Sequence, residues 1–366
     1  MTRFNSSFYP LASPTADATI LPMTTSSAIP PSNHLRPRRL RLHSALRDML
    51  AQNRLAPSDF VAPLFVRLGD NIRNPIASMP GVFQFSPDIA VEELRRLQDL
   101  GIKGYILFGV TDARSKDATG SHAHDPYNAV CQTLRKAKAA GLTMLAMTDL
   151  CYCEYTSHGH CGPLTPPLQG SGQSTVDNDA TIVQLAQQAI QHSLAGADVV
   201  APSGMMDNAV ETIRTGLDNA GRQDTAILAY AVKYASAFYG PFRDAAESPP
   251  QFGDRKSYQM DFRRDAAGLT QEALREAQLD VAQGADMVMV KPGMPYLDIL
   301  QRVSQAVAVP TAVYHVSGEY AMLKAAAQQG WIDEKATVLE SMYAFKRAGA
   351  SFILTYYAAE AASWLT

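Results

Sequence analysis

A (β/α)8 barrel of the TIM type, an α/β fold, preceded by an extended N-terminal arm, is the architecture this 366-residue sequence predicts. Three observations predict it. From Arg38 onward, short apolar β-branched runs alternate with amphipathic helical stretches, the pattern of repeated βα units around a parallel sheet. Such runs can be counted eight times. Glycine recurs where each helix gives way to the next strand, the position that favours a left-handed residue.

Residues 1–37 are rich in Ser, Thr, Pro and Ala and lack both helical and strand period. They read as an arm that is either free or wrapped around a neighbouring subunit. With Arg3 and Arg36 as its basic residues and no proper apolar core, the arm is a poor secretory signal and a weak transit peptide. Residues 38–366 form the barrel domain. Its strands are expected at Val61–Val66, Tyr105–Val110, Thr143–Thr148, Asp198–Ala201, Ala226–Ala231, Asp286–Val290, Thr311–Val316 and Phe352–Tyr356. Each is nearly continuous in apolar residues, as in parallel strands buried on both faces. Helices are expected at Val91–Leu100, Asp177–Ala195, Leu269–Gln283 and Asp333–Ala348. Gly101, Gly196, Gly284 and Gly349 mark helix ends. Two smaller doubly wound domains are the alternative, but eight units in this length suit one barrel.

Composition narrows the function. The 32 basic and 35 acidic residues give a net charge of −3 with no long run of either sign, which argues against a nucleic-acid groove or an anionic membrane surface. No apolar run approaches the roughly 18 residues that span a bilayer, so a soluble, cytoplasmic protein acting on small molecules is expected. Cys151, Cys153 and Cys161 crowd together, too locally for a secreted disulfide framework, while Cys131 sits alone in a helix and reads as core.

In a barrel, catalytic groups lie at or just after the C-terminal ends of strands. After the third run comes Asp149-Leu-Cys151-Tyr-Cys153-Glu-Tyr-Thr-Ser-His158-Gly-His160-Cys161-Gly. Three thiolates can supply three of zinc's four tetrahedral positions and leave one for water or substrate; His158 and His160 could instead complete a closed structural site. Buried reduced thiols are the bland reading. The fifth run leads to Lys233, and the sixth to Lys291-Pro-Gly. A lysine amid apolar and aromatic neighbours loses hydration as an ammonium, and a second ammonium nearby depresses its proton affinity further, so Schiff-base chemistry on a carbonyl follows. One lysine alone could be a snorkelling side chain or half of an ion pair. The polar, Pro/Gly-punctuated stretch from Arg243 to Gln259, with Arg243, Arg255 and Lys256, reads as a lid whose guanidinium groups suit a carboxylate. A solvated loop is its plainer reading. Gly170-Ser-Gly172 lacks the third glycine of a dinucleotide fingerprint and reads as a flexible loop.

At these residues the sequence resembles the zinc-dependent porphobilinogen synthase (5-aminolevulinate dehydratase) family, from about Arg38 to the C-terminus. The cysteine loop resembles the family's zinc loop, the stretches around Lys233 and Lys291 its two lysine motifs, and Val316-Ser317-Gly-Glu-Tyr and Thr355-Tyr356-Tyr its remaining substrate-site segments. The resemblance implies a lyase that condenses two molecules of 5-aminolevulinate to porphobilinogen with loss of two waters, in tetrapyrrole (haem) biosynthesis. It implies that Lys291 holds the substrate that becomes the propionate side, with Ser317 and Tyr356 on its carboxylate. Lys233 would hold the second substrate, with Arg243, Arg255 and Gln259 on its carboxylate and Asp117 and Ser203 near its amine. Tyr239 and Phe242 would line the site. Cys151, Cys153 and Cys161 would carry Zn2+ as a Lewis acid, Glu276 would hold a stimulatory Mg2+, and the assembly would be a homo-octamer. Where the family commonly has Asp after Ala-Pro-Ser, this chain has Gly204. A Schiff-base aldolase would need one lysine and no zinc loop. A metal-stabilised barrel serving only in assembly would leave the lysine pair without a use.

Overall fold

The computed structural model describes residues 36–168, 172–264 and 271–365. The expected arm therefore lies outside the described residues except for its last two, as do most of the Gly170-Ser-Gly172 loop and the first two residues of the helix expected from Leu269. The chain divides into two compact units, Met1–Gln52 and Asn53–Thr366. The first contains two short helices, α1 (Arg39–Leu42) and α2 (Ser44–Leu50), the second capped by the His43 side chain.

In the second unit, eight parallel strands close into a barrel: β1 (Phe60–Arg67), β4 (Gly104–Val110), β5 (Leu145–Leu150), β6 (Val199–Pro202), β7 (Ala226–Lys233), β8 (Met287–Lys291), β9 (Thr311–His315) and β10 (Phe352–Thr355). Closure is made by β10 against the start of β1, where Phe60 pairs with Ile353 and Val61 with Leu354. Every barrel strand falls on an expected run, because a nearly continuous apolar stretch suits a strand buried on both faces. A short hairpin, β2 (Arg73–Pro75) and β3 (Phe83–Phe85), hangs on the C-terminal half of β1.

The surrounding helices are α3 (Pro87–Asp99), α4 (Ala129–Ala139), α5 (Asn178–Ala195), α6 (Ala209–Asn219), α7 (Gly240–Ala245), α8 (Gln271–Ala282), α9 (Leu297–Ala306), α10 (Ser317–Gln328), α11 (Glu334–Arg347) and α12 (Ala358–Leu365). Asp177 and Asp333 cap α5 and α11 by accepting the backbone N–H three residues on, as N-cap carboxylates do. Gly196, which ends α5, has φ +116°, a conformation costly for any residue with a Cβ. Cys131 is fully buried in α4, where burial pushes its thiol up to about 12.

The barrel interior near its C-terminal mouth is aromatic. Phe65 of β1 lies 5.6 Å from Phe108 of β4, and Tyr314 of β9 lies 6.3 Å from Tyr230 of β7 and 6.1 Å from Tyr356. Phe242 of α7 reaches in from above, 5.2 Å from Phe108. Among the described residues, no helix is long and apolar enough to cross a membrane.

Candidate active site

The two lysines meet because of a local irregularity. Between Ala229 and Val232 strand β7 advances three residues while β8 advances two, from Val288 to Val290. This β-bulge changes which residues stand opposite one another, and Lys233 becomes the register partner of Lys291. Paired residues on neighbouring strands point to the same face. Both side chains are 5% exposed.

Lys291 sits in an aromatic cage, its Nζ 4.2 Å from the Tyr314 ring centre, 5.0 Å from Tyr230 and 5.3 Å from both Tyr239 and Phe242. Ring faces attract a cation but do not replace its hydration. Burial first, and then the charge of Lys233, bring the Lys291 amine down to about 7. Lys233 Nζ donates to the Ser203 carbonyl and lies 5.6 Å from Tyr230. Tyr239 donates its hydroxyl to the Lys291 carbonyl at 3.2 Å, which steadies the strand end.

The loop after β5 folds the three cysteines inward. The Sγ atoms of Cys151, Cys153 and Cys161 all lie within 4.8 Å of one another, with Cys151 and Cys153 at 3.4 Å, and all three are buried. The thiols share protons: Cys161 is held well below the ordinary thiol range by S–H groups of Cys151 and Cys153, and Cys151 is pushed well above it. Three converging buried sulfurs, one of them favoured as thiolate, fit a zinc ion.

The histidines of this loop turn elsewhere. His158 Nε2 meets the Ala118 carbonyl at 3.1 Å and its Nδ1 accepts from the His160 N–H at 3.2 Å. His160 contacts the Phe252 carbonyl and the Tyr258 hydroxyl, both at 3.1 Å. Neither imidazole joins the cysteine cluster.

The stretch from Arg243 to Gln259 packs against the cysteine loop. Arg255 is buried and donates to the carbonyls of Gly159 and Ser248 at 2.9 and 3.1 Å. Its Nε, the Nε of Arg243 and the Nε2 of the buried Gln259 have no protein partner, three donors suited to an anionic guest. Ser317 opens α10, and its hydroxyl accepts from Phe242 N at 3.0 Å and donates to the Phe238 carbonyl at 3.3 Å. Tyr356 accepts the Tyr314 hydroxyl at 3.1 Å.

The chain as a whole finds its match among known proteins. The profile of the family described as Delta-aminolevulinic acid dehydratase matches residues 34–364. The chain belongs to that family. It is 51% identical over 334 residues to the delta-aminolevulinic acid dehydratase of Synechococcus elongatus, covering 90% of this chain and 98% of that one. The Streptomyces coelicolor dehydratase is 49% identical over 344 residues, covering 94% and 100%. The crystal structure of the Toxoplasma gondii dehydratase (porphobilinogen synthase), in complex with the reaction product porphobilinogen, superposes with a TM-score of 0.85 at 44% identity, over 90% of this chain and 91% of that one.

Two further residues expected in the site lie on other elements than the lysine strands. Asp117 accepts from the N–H groups of Thr119, Gly120 and Ser121 and from the Ser121 hydroxyl. Burial works against its charge, yet the bonds from Ser121 and Thr119 hold its carboxyl below the usual range. The same loop lies beside the cysteine loop through the Asp117–Thr156 bridge. Glu276 of α8 lines a cavity of about 670 Å³ with Asp207, Glu272, Asp280, Arg264 and Arg275. Burial and the Glu276 charge push Asp280 up to about 7. A Cβ at Gly204 would meet Met206 at 3.5 Å and Cys161 at 3.8 Å, ordinary contacts, so nothing in the structure demands glycine there.

Sequence reasoning gave no role to Asp149, Glu154 or Glu319. Asp149 and Glu154 are buried beside Cys151, and burial, reinforced for Asp149 by Glu154, pushes each up to about 8. Glu319, fully buried, accepts from Met294 N at 2.6 Å and Val316 N at 2.7 Å, joining the loops that follow β8 and β9. The signal was present: a Glu two residues after Ser317, at the third position of a helix, is where a capping carboxylate belongs.

Proposed function

We propose that Lys291 and Lys233 carry the condensation of two 5-aminolevulinate molecules to porphobilinogen, each through a Schiff base. The observation that carries this reading is the register pairing of two buried lysines, one with its amine brought down to about 7. Near neutral pH about half of such an amine is neutral and nucleophilic. Each lysine nitrogen attacks a substrate ketone carbon, and the ketone oxygen leaves as water. A carbon beside one iminium then gives up a proton and bonds to the carbon of the other. The amine of one substrate then attacks the other substrate's iminium carbon and displaces that lysine as the ring closes, while the remaining lysine leaves by elimination as a neighbouring ring carbon gives up a proton. The other substrate's amine stays free, two waters leave in all and both lysines return.

The aromatic cage excludes water from the iminium and keeps the reacting carbons close. Ser317 and Tyr356 would bind the carboxylate of the Lys291-bound substrate. Arg243, Arg255 and Gln259 offer donors to the other carboxylate. Ser203, whose carbonyl already accepts from Lys233, and Asp117 would serve the second amine. Cys151, Cys153 and Cys161 would hold zinc, which supplies Lewis acidity toward an amine or carbonyl oxygen when bound. The same reading includes magnesium at Glu276, a homo-octameric assembly and a cytoplasmic setting.

Borohydride added with 5-aminolevulinate tests it. Peptide mass mapping should find the reduced adduct on Lys291, and Lys233→Ala should still trap one substrate there. An adduct on a lysine other than these two overturns the proposal.

A further inference from the structure

We propose that His160 is a positioning residue that fastens the lid to the cysteine loop, and that it does so without ligating the metal. The inference rests on the function proposed above only in taking Cys151, Cys153 and Cys161 as the metal ligands. The geometry settles the tautomer. A carbonyl can only accept, so the ring nitrogen facing Phe252 carries the hydrogen, at 3.1 Å, and the other accepts from the Tyr258 hydroxyl, also at 3.1 Å. Both nitrogens of a neutral imidazole are then used, and neither has a lone pair left for a metal. The Phe252 ring packs 4.7 Å from the His160 ring, and His160 itself is 4% exposed.

Two further bonds run between the same two segments, and a third joins the lid to Thr175 beyond the cysteine loop. Gln251 N donates to the His158 carbonyl at 3.0 Å, Arg255 donates to the Gly159 carbonyl at 2.9 Å, and Thr175 meets Ser257 at 2.8 Å just beyond the loop. Gly159 is at φ +73°, and a Cβ there would lie 2.4 Å from the Pro249 carbonyl, so the backbones touch. The lid residues gripped here, Phe252 and Tyr258, bracket Arg255, and Tyr258 immediately precedes Gln259. Those are the buried donors whose free atoms await an anion. Seating the lid on His160 therefore places the second carboxylate's ligands, and the order of the cysteine loop is passed to the lid through a residue adjoining Cys161.

The test uses the full-length, zinc-loaded protein and three variants, His160→Ala, His160→Gln and Tyr258→Phe. Trypsin has a site at Lys256, whose side chain is 61% exposed on the lid, and cleavage there reads lid opening without turnover. For His160→Ala the expected result is cleavage several-fold faster, one zinc per chain retained, and a KM for 5-aminolevulinate raised roughly tenfold with a smaller loss in kcat. His160→Gln, whose amide offers one donor and one acceptor, should recover most of the resistance to cleavage. Tyr258→Phe, which leaves the cysteine loop intact, should shift cleavage in the same direction as His160→Ala. Wild-type cleavage in His160→Ala and Tyr258→Phe overturns the proposal, and so does loss of zinc from a folded His160→Gln. If His160→Ala fails to fold, Tyr258→Phe decides. Because cleavage and zinc content are read independently of catalysis, failure of the Schiff-base reading would leave this result standing, and the reverse.

Discussion

Replacing Lys233 with Met should raise the proton affinity of Lys291 and slow its reaction with ketones at neutral pH. The Lys291 amine is lowered from 10.5 to about 7, which corresponds to about 5 kcal/mol against the ammonium. Burial is the largest cause and the Lys233 charge the next, so the variant moves part of the way back. A nearby charge is worth about 1 to 3 in pKa. Taking the lower figure, the neutral fraction at pH 7 falls from about one half to about one tenth, a roughly fivefold loss of nucleophile. The assay is reductive trapping of 4-oxopentanoate, which keeps the ketone and carboxylate but lacks the amine, with cyanoborohydride across pH 6 to 9 as set by general amine chemistry, on the order of the range where the reagent is stable. The Lys291 peptide is quantified by mass. Wild type should reach half its maximal rate near pH 7, and Lys233→Met at higher pH but below 10.5. An unchanged or lower midpoint in the variant, or a wild-type midpoint near 10.5, would refute the coupling.

Lys291→Met should stabilise the protein while abolishing turnover. Because the folded amine titrates at about 7 and the unfolded one at 10.5, the folded state carries the full cost of the buried cation below pH 7, and that cost declines as pH rises toward 10.5. The gain in Tm should therefore shrink steadily over that range, and a gain that grows with pH would contradict the assignment. A chelator should abolish activity and zinc restore it, with Cys153→Ala failing to retain metal at ordinary zinc levels by elemental analysis; full activity in metal-free protein would dismiss the zinc reading. Glu319→Ala leaves two buried N–H groups, those of Met294 and Val316, without acceptors. It should cost about 2–5 kcal/mol in urea unfolding, and a loss below about 1 would show that the loops do not depend on it. Glu276→Gln should remove any stimulation by added magnesium and weaken its binding by calorimetry; unchanged binding would place the ion elsewhere.

The strands were legible because burial on both faces leaves little choice of residue, and runs such as Met287–Val290 have no polar alternative to offer. The hairpin was not, since Arg73–Pro75 is exposed along its length and carries no apolar alternation. The placing of Lys233 and Lys291 on neighbouring strand ends followed from counting units, but their direct pairing depends on an extra residue near Tyr230 that periodicity cannot reveal. Spacing brought the three cysteines together correctly, because their separation along the chain limits where they can go. It could not say which way His158 and His160 point, since the lid residues that capture His160 are 92 and 98 positions away. The local use of Asp117 was readable in Asp117-Ala-Thr119-Gly120-Ser121, a sequence in which a carboxylate bonds the backbone just ahead of it.

The bulge in β7 also says how such a site could be transplanted. Continued without it, the pairing of Ala229 with Val288 would set Val232, not Lys233, across from Lys291. A lysine grafted onto a regular barrel strand at the position of Lys233 would accordingly turn its amine away from its partner. A designer would have to borrow the change of strand length along with the side chain, or else set the lysine one position earlier in the chain. Here the second amine is specified by the number of residues before it as much as by its own identity.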